Sequence, residues 1–234
     1  MIRHDNYTWY ARIYPVFIVI FPITLVCMVW FQPLLGFLTG ILSSGIASIL
    51  FSQLGRDQGK YKESKLFELW GGNPAVRMLR YRDSVLSQVT VRRIHEKLAS
   101  LVANTYAVNE KEEKEDAVKA DTVYTSWVEW LRSMTRDQSK FYLLFAENKN
   151  YGFRRNLWGM KSIGILVSVL SLVAITIALY SEWMRIGSIS SITLGAFLFV
   201  IFCFIFWVFC CTPKWIRITA EAYAKQLLET VDQL

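Results

Sequence analysis

The chain has 234 residues, of which 53% are hydrophobic, 15% aromatic and only 19% charged, with a mean hydropathy of +0.29. Soluble domains carry about 25% charged residues, so this composition points to a membrane protein; it excludes a disordered chain, a coiled-coil rod and a disulfide scaffold. Lys and Arg number 26 and Asp and Glu 19, a net charge of +7 whose placement matters more than its sum.

Residues 1–12, with Arg3 and Arg12, read as a short cytoplasmic N-terminus. Between Arg12 and Arg56 lie 43 residues without a charge. One helical span needs about 20 residues to cross about 30 Å of hydrocarbon, so this stretch predicts two spans. The break falls at Gln32-Pro33, because Pro removes a backbone donor and disfavours helix at the residue before it. Ile13–Phe31 and Leu34–Leu54 thus form a predicted hairpin over residues 13–54. The first run is too long for the core of a cleaved signal peptide, contains Pro15 and Pro22, and lacks a small-x-small cleavage site, so it reads as a retained anchor.

Residues 55–161 are too many for a plain loop and predict a helical domain. Asp57–Leu69 is polar with a weak apolar face, and Trp70-Gly71-Gly72-Asn73-Pro74 breaks it. Pro74 suits the first turn of a new helix extending to about Arg82. Val89–Val102 repeats apolar residues at Ile94, Leu98, Leu101 and Val102, and Asn109–Asp116 reads as a solvated acidic turn. Ala120–Met134 is the best amphipathic stretch, with Ala120, Tyr124, Trp127, Val128, Leu131 and Met134 on one face. Phe141–Ala146 predicts a further short apolar helix.

A second hairpin occupies 162–211. Ser162–Ser181 is uncharged, Glu182 and Arg185 mark a short loop, and about Ile189–Cys211 forms the fourth span, closed by Pro213-Lys214. The tail, 212–234, places Ala220, Tyr223, Leu227, Val231 and Leu234 at heptad-like spacing, suited to packing on the domain or on a neighbouring copy. The predicted fold is an all-α membrane protein: four transmembrane helices as two hairpins, with a helical cytoplasmic domain inserted between spans two and three. Twenty-five of the 26 basic residues share one side of this topology, with Arg185 alone on the other. The positive-inside bias then places both termini and the domain on the cytoplasmic side of a multi-pass membrane protein.

Two sets of residues are candidates for function. In span two, Gly36, Gly40, Ser44, Ser48 and Ser52 recur every fourth position, with Ser43 beside them. Small residues at this spacing let helix backbones approach closely. They suit either a packing seam within the subunit or a hydroxyl-coated path at a subunit axis. No ionisable residue lies within a span, which argues against proton-coupled transport. The second set is Arg77, Arg80, Arg82, Arg92 and Arg93, whose guanidinium forks suit phosphate. The alternative for these five is an ordinary salt-bridged surface. Arg154 and Arg155 read as juxtamembrane basics facing anionic lipid. Four Trp (158, 183, 207, 215) read as interfacial aromatics, and His95 as an ordinary helix-surface residue. The four cysteines, all in apolar runs, read as reduced thiols without metal spacing. Gly71-Gly72 lacks the Lys-Ser/Thr of a phosphate loop. No catalytic set, metal or cofactor is expected, and the chain does not read as an enzyme.

Two blocks carry a resemblance. Leu69-Trp70-Gly71-Gly72-Asn73-Pro74 leading to Leu79-Arg80-Tyr81-Arg82-Asp83, and Glu147-Asn148-Lys149-Asn150-Tyr151-Gly152-Phe153-Arg154-Arg155-Asn156-Leu157-Trp158-Gly159, are similar to a family of bacterial four-span membrane proteins to which no function attaches. The architecture also resembles the small membrane effectors of bacterial anti-phage systems, of the Hailong type. That resemblance implies an oligomeric ion channel controlled by an oligonucleotide, or a cyclic nucleotide, made by a partner nucleotidyltransferase. The resulting expectation is a homo-oligomer in the lipid bilayer, a tetramer favoured, serving as an antiviral defence or toxic effector. Span two would line or pack the path, and the arginines would form a basic mouth. A scaffold recruiting a cytosolic partner through the Trp127/Trp130 helix and the C-terminal helix is the alternative, and a transporter the next.

Overall fold

The computed structural model describes residues 9–31, 33–83 and 85–234; the side chains of 33–39 and 41–51 lie outside that description. The described chain is helical, with no strand. Its helices are α1 (Trp9–Trp30), α2 (Pro33–Trp70), α3 (Pro74–Leu79), α4 (Gln88–Leu101), α5 (Glu110–Glu115), α6 (Ala117–Met134), α7 (Tyr142–Gly159), α8 (Lys161–Ile186), α9 (Ser191–Cys210) and α10 (Pro213–Glu229). Three of them, α1, α8 and α9, are long and apolar enough to cross a membrane. The chain divides into two compact units, Met1–Glu63 with Gly152–Ile216, and Ser64–Tyr151 with Arg217–Leu234.

In the first unit α1, α8 and α9 pack against one another pairwise. The face that α8 buries carries Gly164, Ser168, Ser171, Ile175 and Ala178, a heptad-like run of mostly small side chains. Lipid supplies no hydrophobic drive between helices, so close backbone approach is what such a face contributes. A Cβ added at Gly164 would sit 2.2 Å from the Trp207 ring, so this glycine is a socket for that indole. Trp207 is therefore fully buried rather than interfacial, together with Val16, Val19, Leu157, Met160 and Cys211. A second cluster joins Val26, Ile175, Ala178 and Ala196. The outward surface is large and apolar, as at Ile192, Phe202 and Phe209. Ser190 caps α9 by accepting the Thr193 N–H, and the four cysteines are free thiols.

The second unit has an aliphatic and aromatic core of Val76, Leu79, Ile94, Leu98, Trp127, Leu131 and Leu144, closed by Ala224, Leu227 and Val231 of the C-terminal segment. That segment thus packs on its own domain. Trp127 is wholly buried, which withdraws it from any partner surface, whereas Met134 turns out to be half exposed. Three local expectations need correction. The helix from Pro74 ends at Leu79, because Arg80 is already extended as its C-cap. Residues 110–115 form a helical turn with a full capping box between Asn109 and Glu112, which swings Glu113 inward. The stretch predicted from Phe141 starts one residue later and runs on as the much longer α7, Tyr142–Gly159.

Candidate functional site

The arginine set in the second unit is the best-defined constellation, and it is built from the turn after α2. Gly71 and Gly72 adopt φ of +80° and +129°, the region where a side chain is strained. Gly72 donates its N–H to the Phe67 carbonyl and so closes the helix. Asn73 then accepts the Ala75 N–H and starts α3, with Pro74 in its first turn. The short helix delivers Arg80 back over the turn, where its Nη1 donates to the Gly71 carbonyl at 2.7 Å. A Cβ at Gly72 would lie 2.9 Å from Arg80 Nη2, so the glycine pair and the arginine fit together.

The carboxylates come from elsewhere. Arg80 forks onto Asp121 with Nε at 2.9 Å and Nη2 at 2.8 Å, and Nη1 also reaches Asp83 at 3.2 Å. Arg82 donates Nη2 to both Asp121 oxygens at 2.8 Å and Nη1 to Glu113 at 3.1 Å. Arg77 pairs with Asp83 at 3.2 Å and with Glu221 at 3.9 Å. The structure therefore brings Arg77, Arg80 and Arg82 together, but against four carboxylates. Bidentate geometry of this kind is among the stronger polar contacts a protein makes.

Glu113 is the keystone. It is 2% exposed and accepts the backbone N–H groups of Tyr81 and Arg82 at 3.0 Å and the Tyr124 hydroxyl at 2.7 Å. Burial opposes its charge, but the Tyr124 hydroxyl, the two backbone amides and the Arg82 guanidinium outweigh it and hold the carboxyl below the usual range. Burial and the neighbouring Glu113 push the Tyr124 hydroxyl upward.

His95 lies beside this network, 1% exposed, and so departs from the surface position expected for it. Its Nδ1 is 2.9 Å from the Val108 carbonyl and its Nε2 2.8 Å from the Leu79 carbonyl, within a ring of Tyr81, Tyr124 and Trp127. Burial lowers its pKa more than the two carbonyls and Glu113 raise it. Arg92 is exposed on α4 and hydrogen-bonds Tyr81, whose hydroxyl burial raises against that pull. Arg93 makes an exposed pair with Asp232 at 3.2 Å.

Arg154 and Arg155, in the first unit, are tied down as well. Arg154 stacks on Trp215 at 4.5 Å and donates to its carbonyl at 2.7 Å; Arg155 pairs with Glu63 at 3.0 Å. Asn156 donates to the Ala11 carbonyl, and a Cβ at Gly159 would lie 2.6 Å from the Gly59 nitrogen. Arg80, Arg82 and Asp83 of the first block and Arg154, Arg155 and Asn156 of the second thus make internal contacts. Of the span-two set, the surroundings of Gly36 and the side chains of Ser43, Ser44 and Ser48 lie outside that description. Gly40 faces Thr24 at ordinary van der Waals distance, 3.8 Å from a Cβ position. Sequence reasoning missed Glu113, Asp121 and His95; the Asn109-x-x-Glu112 capping signature was the one clue to the first. Among the described residues no group of His, Cys, Asp and Glu has the arrangement to hold a metal ion. Comparison with known protein families, with curated proteins and with solved structures finds no match for this chain.

Proposed function

We propose that the chain is a homo-oligomeric channel of the bacterial inner membrane, four-spanning, with both termini and the second unit in the cytoplasm. In this reading it serves as an antiviral defence or toxic effector, switched by an anionic oligonucleotide or cyclic nucleotide. What supports the channel reading is the construction of the first unit: apolar helices joined through a small-residue seam, with large apolar side chains turned outward. The spacing Gly36, Gly40, Ser44, Ser48 repeats that seam chemistry on the apolar run 34–54, a spacing that suits close packing against another helix, in this reading a copy of itself. The effector role and its nucleotidyltransferase partner rest on the resemblance of the architecture.

The ligand-binding part of the proposal moves within the arginine set. Arg77, Arg80 and Arg82 are neutralised internally, so in this reading phosphate is first met by Arg92 and Arg93, the exposed arginines of the set that stand outside that carboxylate network. Ligand bound across subunits would favour one gate state by differential affinity, and binding would weaken steeply with salt. A scaffold role is less well supported, because Trp127 and the C-terminal helix are consumed by the domain core. The test is ion flux from liposomes carrying purified protein, with and without linear and cyclic oligonucleotides. Vesicles that stay sealed under every condition overturn the channel. Flux that is insensitive to Arg92→Glu and Arg93→Glu removes those two residues from the ligand site.

A further inference from the structure

We infer that a cavity near the C-terminal end of α8 binds a zwitterion of the phosphoethanolamine type, a primary ammonium and a phosphate a few ångströms apart. The cavity holds about 260 Å³ and is lined by Val29, Trp30, Ser181, Glu182, Arg185 and Thr193, all in the first unit. It plays no part in the conducting path proposed above.

Four observations define the chemistry. The Glu182 carboxyl is met by the Thr193 and Ser190 hydroxyls and, at Oε1, by the Ser190 N–H at 3.2 Å, while Oε2 is shielded from solvent without a hydrogen-bond partner among the described residues. A carboxylate oxygen in that condition lacks a donor, and a primary ammonium brings three. Arg185 follows one turn later, exposed, with no ion pair among the described residues. Opposite charges at i and i+3 that do not close on each other leave space for a ligand between them. Trp30 is held as a wall by its indole N–H, which donates to the Ala174 carbonyl at 3.4 Å, and an indole face attracts an ammonium. Ser181 Oγ donates to the Ala178 carbonyl at 3.0 Å and Thr193 Oγ1 lies 2.9 Å from Ser190 Oγ, so the exposed Arg185 guanidinium is the group on this wall left to meet a phosphate.

Charge decides among ligand classes. A simple cation would meet Arg185 and a simple anion Glu182, whereas a zwitterion satisfies both. Choline-type groups carry no N–H for Oε2, so ethanolamine is preferred. The ends of apolar spanning helices lie at the level of lipid headgroups, and 260 Å³ accommodates such a headgroup while leaving acyl chains outside. The same chemistry is offered by a phosphatidylethanolamine headgroup and by free phosphoethanolamine.

The test uses the full-length protein in detergent. Thermal unfolding and native mass spectrometry are compared with added phosphatidylethanolamine, phosphatidylcholine or phosphatidylglycerol, and with millimolar phosphoethanolamine. Phosphatidylethanolamine is expected to raise the midpoint and stay bound through desolvation, with the other two lipids clearly weaker. Glu182→Gln is expected to weaken binding about tenfold or more, by loss of a charge-assisted contact. Arg185→Gln, at an exposed position that does not endanger folding, is expected to do the same. A matching shift from phosphoethanolamine alone identifies a soluble source, and a shift from the lipid alone identifies the bilayer. Equal response to all three lipids, no response to any probe, or both variants binding as the parent does would overturn the site.

Discussion

The two units of this chain solve the burial problem by opposite means. In the first, shape does the specifying: Gly164 receives the Trp207 ring, Gly159 lies against Gly59, and Ser168 turns its hydroxyl back onto the Gly164 carbonyl at 2.8 Å. In the second, charge does it: three guanidiniums on and just after α3 meet four carboxylates, Asp83 nearby, Glu113 on α5, Asp121 on α6 and Glu221 on α10. The difference follows from the surroundings that each unit is built for. Helices in lipid gain little from being apolar, so tight fit and small residues select their partners. A small domain in water already has a hydrophobic drive, and a satisfied polar network then selects one arrangement among many.

Four measurements would break or sharpen that contrast, beginning with the largest expected effect. Glu113→Ala strips the carboxylate from the Tyr81 and Arg82 amides, the Arg82 guanidinium and the Tyr124 hydroxyl. We expect the second unit to lose about 3 to 5 kcal/mol in denaturant unfolding, as when one partner of a buried charged pair is removed. Little change would mean that the aliphatic core alone specifies this unit.

Gly164→Ala comes next, at about 2 to 3 kcal/mol, because its Cβ would sit 2.2 Å from the Trp207 ring and a packed interior yields poorly to extra volume. Loss of the monodisperse peak in detergent is the readout. The paired change Gly164→Ala with Trp207→Leu should recover part of it, and failure to recover would show that shape is not the selecting element.

The third measurement is pH dependence. His95 has a lowered pKa in the folded state, so the unfolded chain binds its proton first. Its contribution is complete above about pH 6.5 and is lost as pH falls below that value. Glu113 also has a lowered pKa, so its contribution persists above about pH 4 and is lost as pH falls further. Two separate acid steps in the second unit are expected, and His95→Phe should remove the upper one. The smallest effect is Arg93→Ala, below about 0.5 kcal/mol, since Arg93 and Asp232 are both more than half exposed in solvent.

Much of the local structure was legible in the residues. The stop at Trp70, the Gly71-Gly72 reversal and the start at Pro74 follow from backbone sterics that need no partner. The buried face of α6 was visible in its spacing, down to Trp127. The polar partners were not. Asp121 lies 41 positions from Arg80, and nothing local distinguishes it from other acids. Glu113 sits in an acidic run that periodicity reads as solvated, yet one turn of capped helix reverses its direction. His95 looked like one more polar residue on an amphipathic helix, because carbonyls that lack a helical partner leave no mark in the sequence.

Apolar runs of 20 residues and more determine helices long enough to cross a bilayer, since length and the cost of burying charge are properties of the segment itself. Backbone restriction at Gly and Pro likewise determines where those helices stop. Only the tertiary structure decided which glycine faces which ring and which acid neutralises which arginine. Those choices depend on distances between segments far apart in the chain, and a side chain's identity does not specify its neighbour.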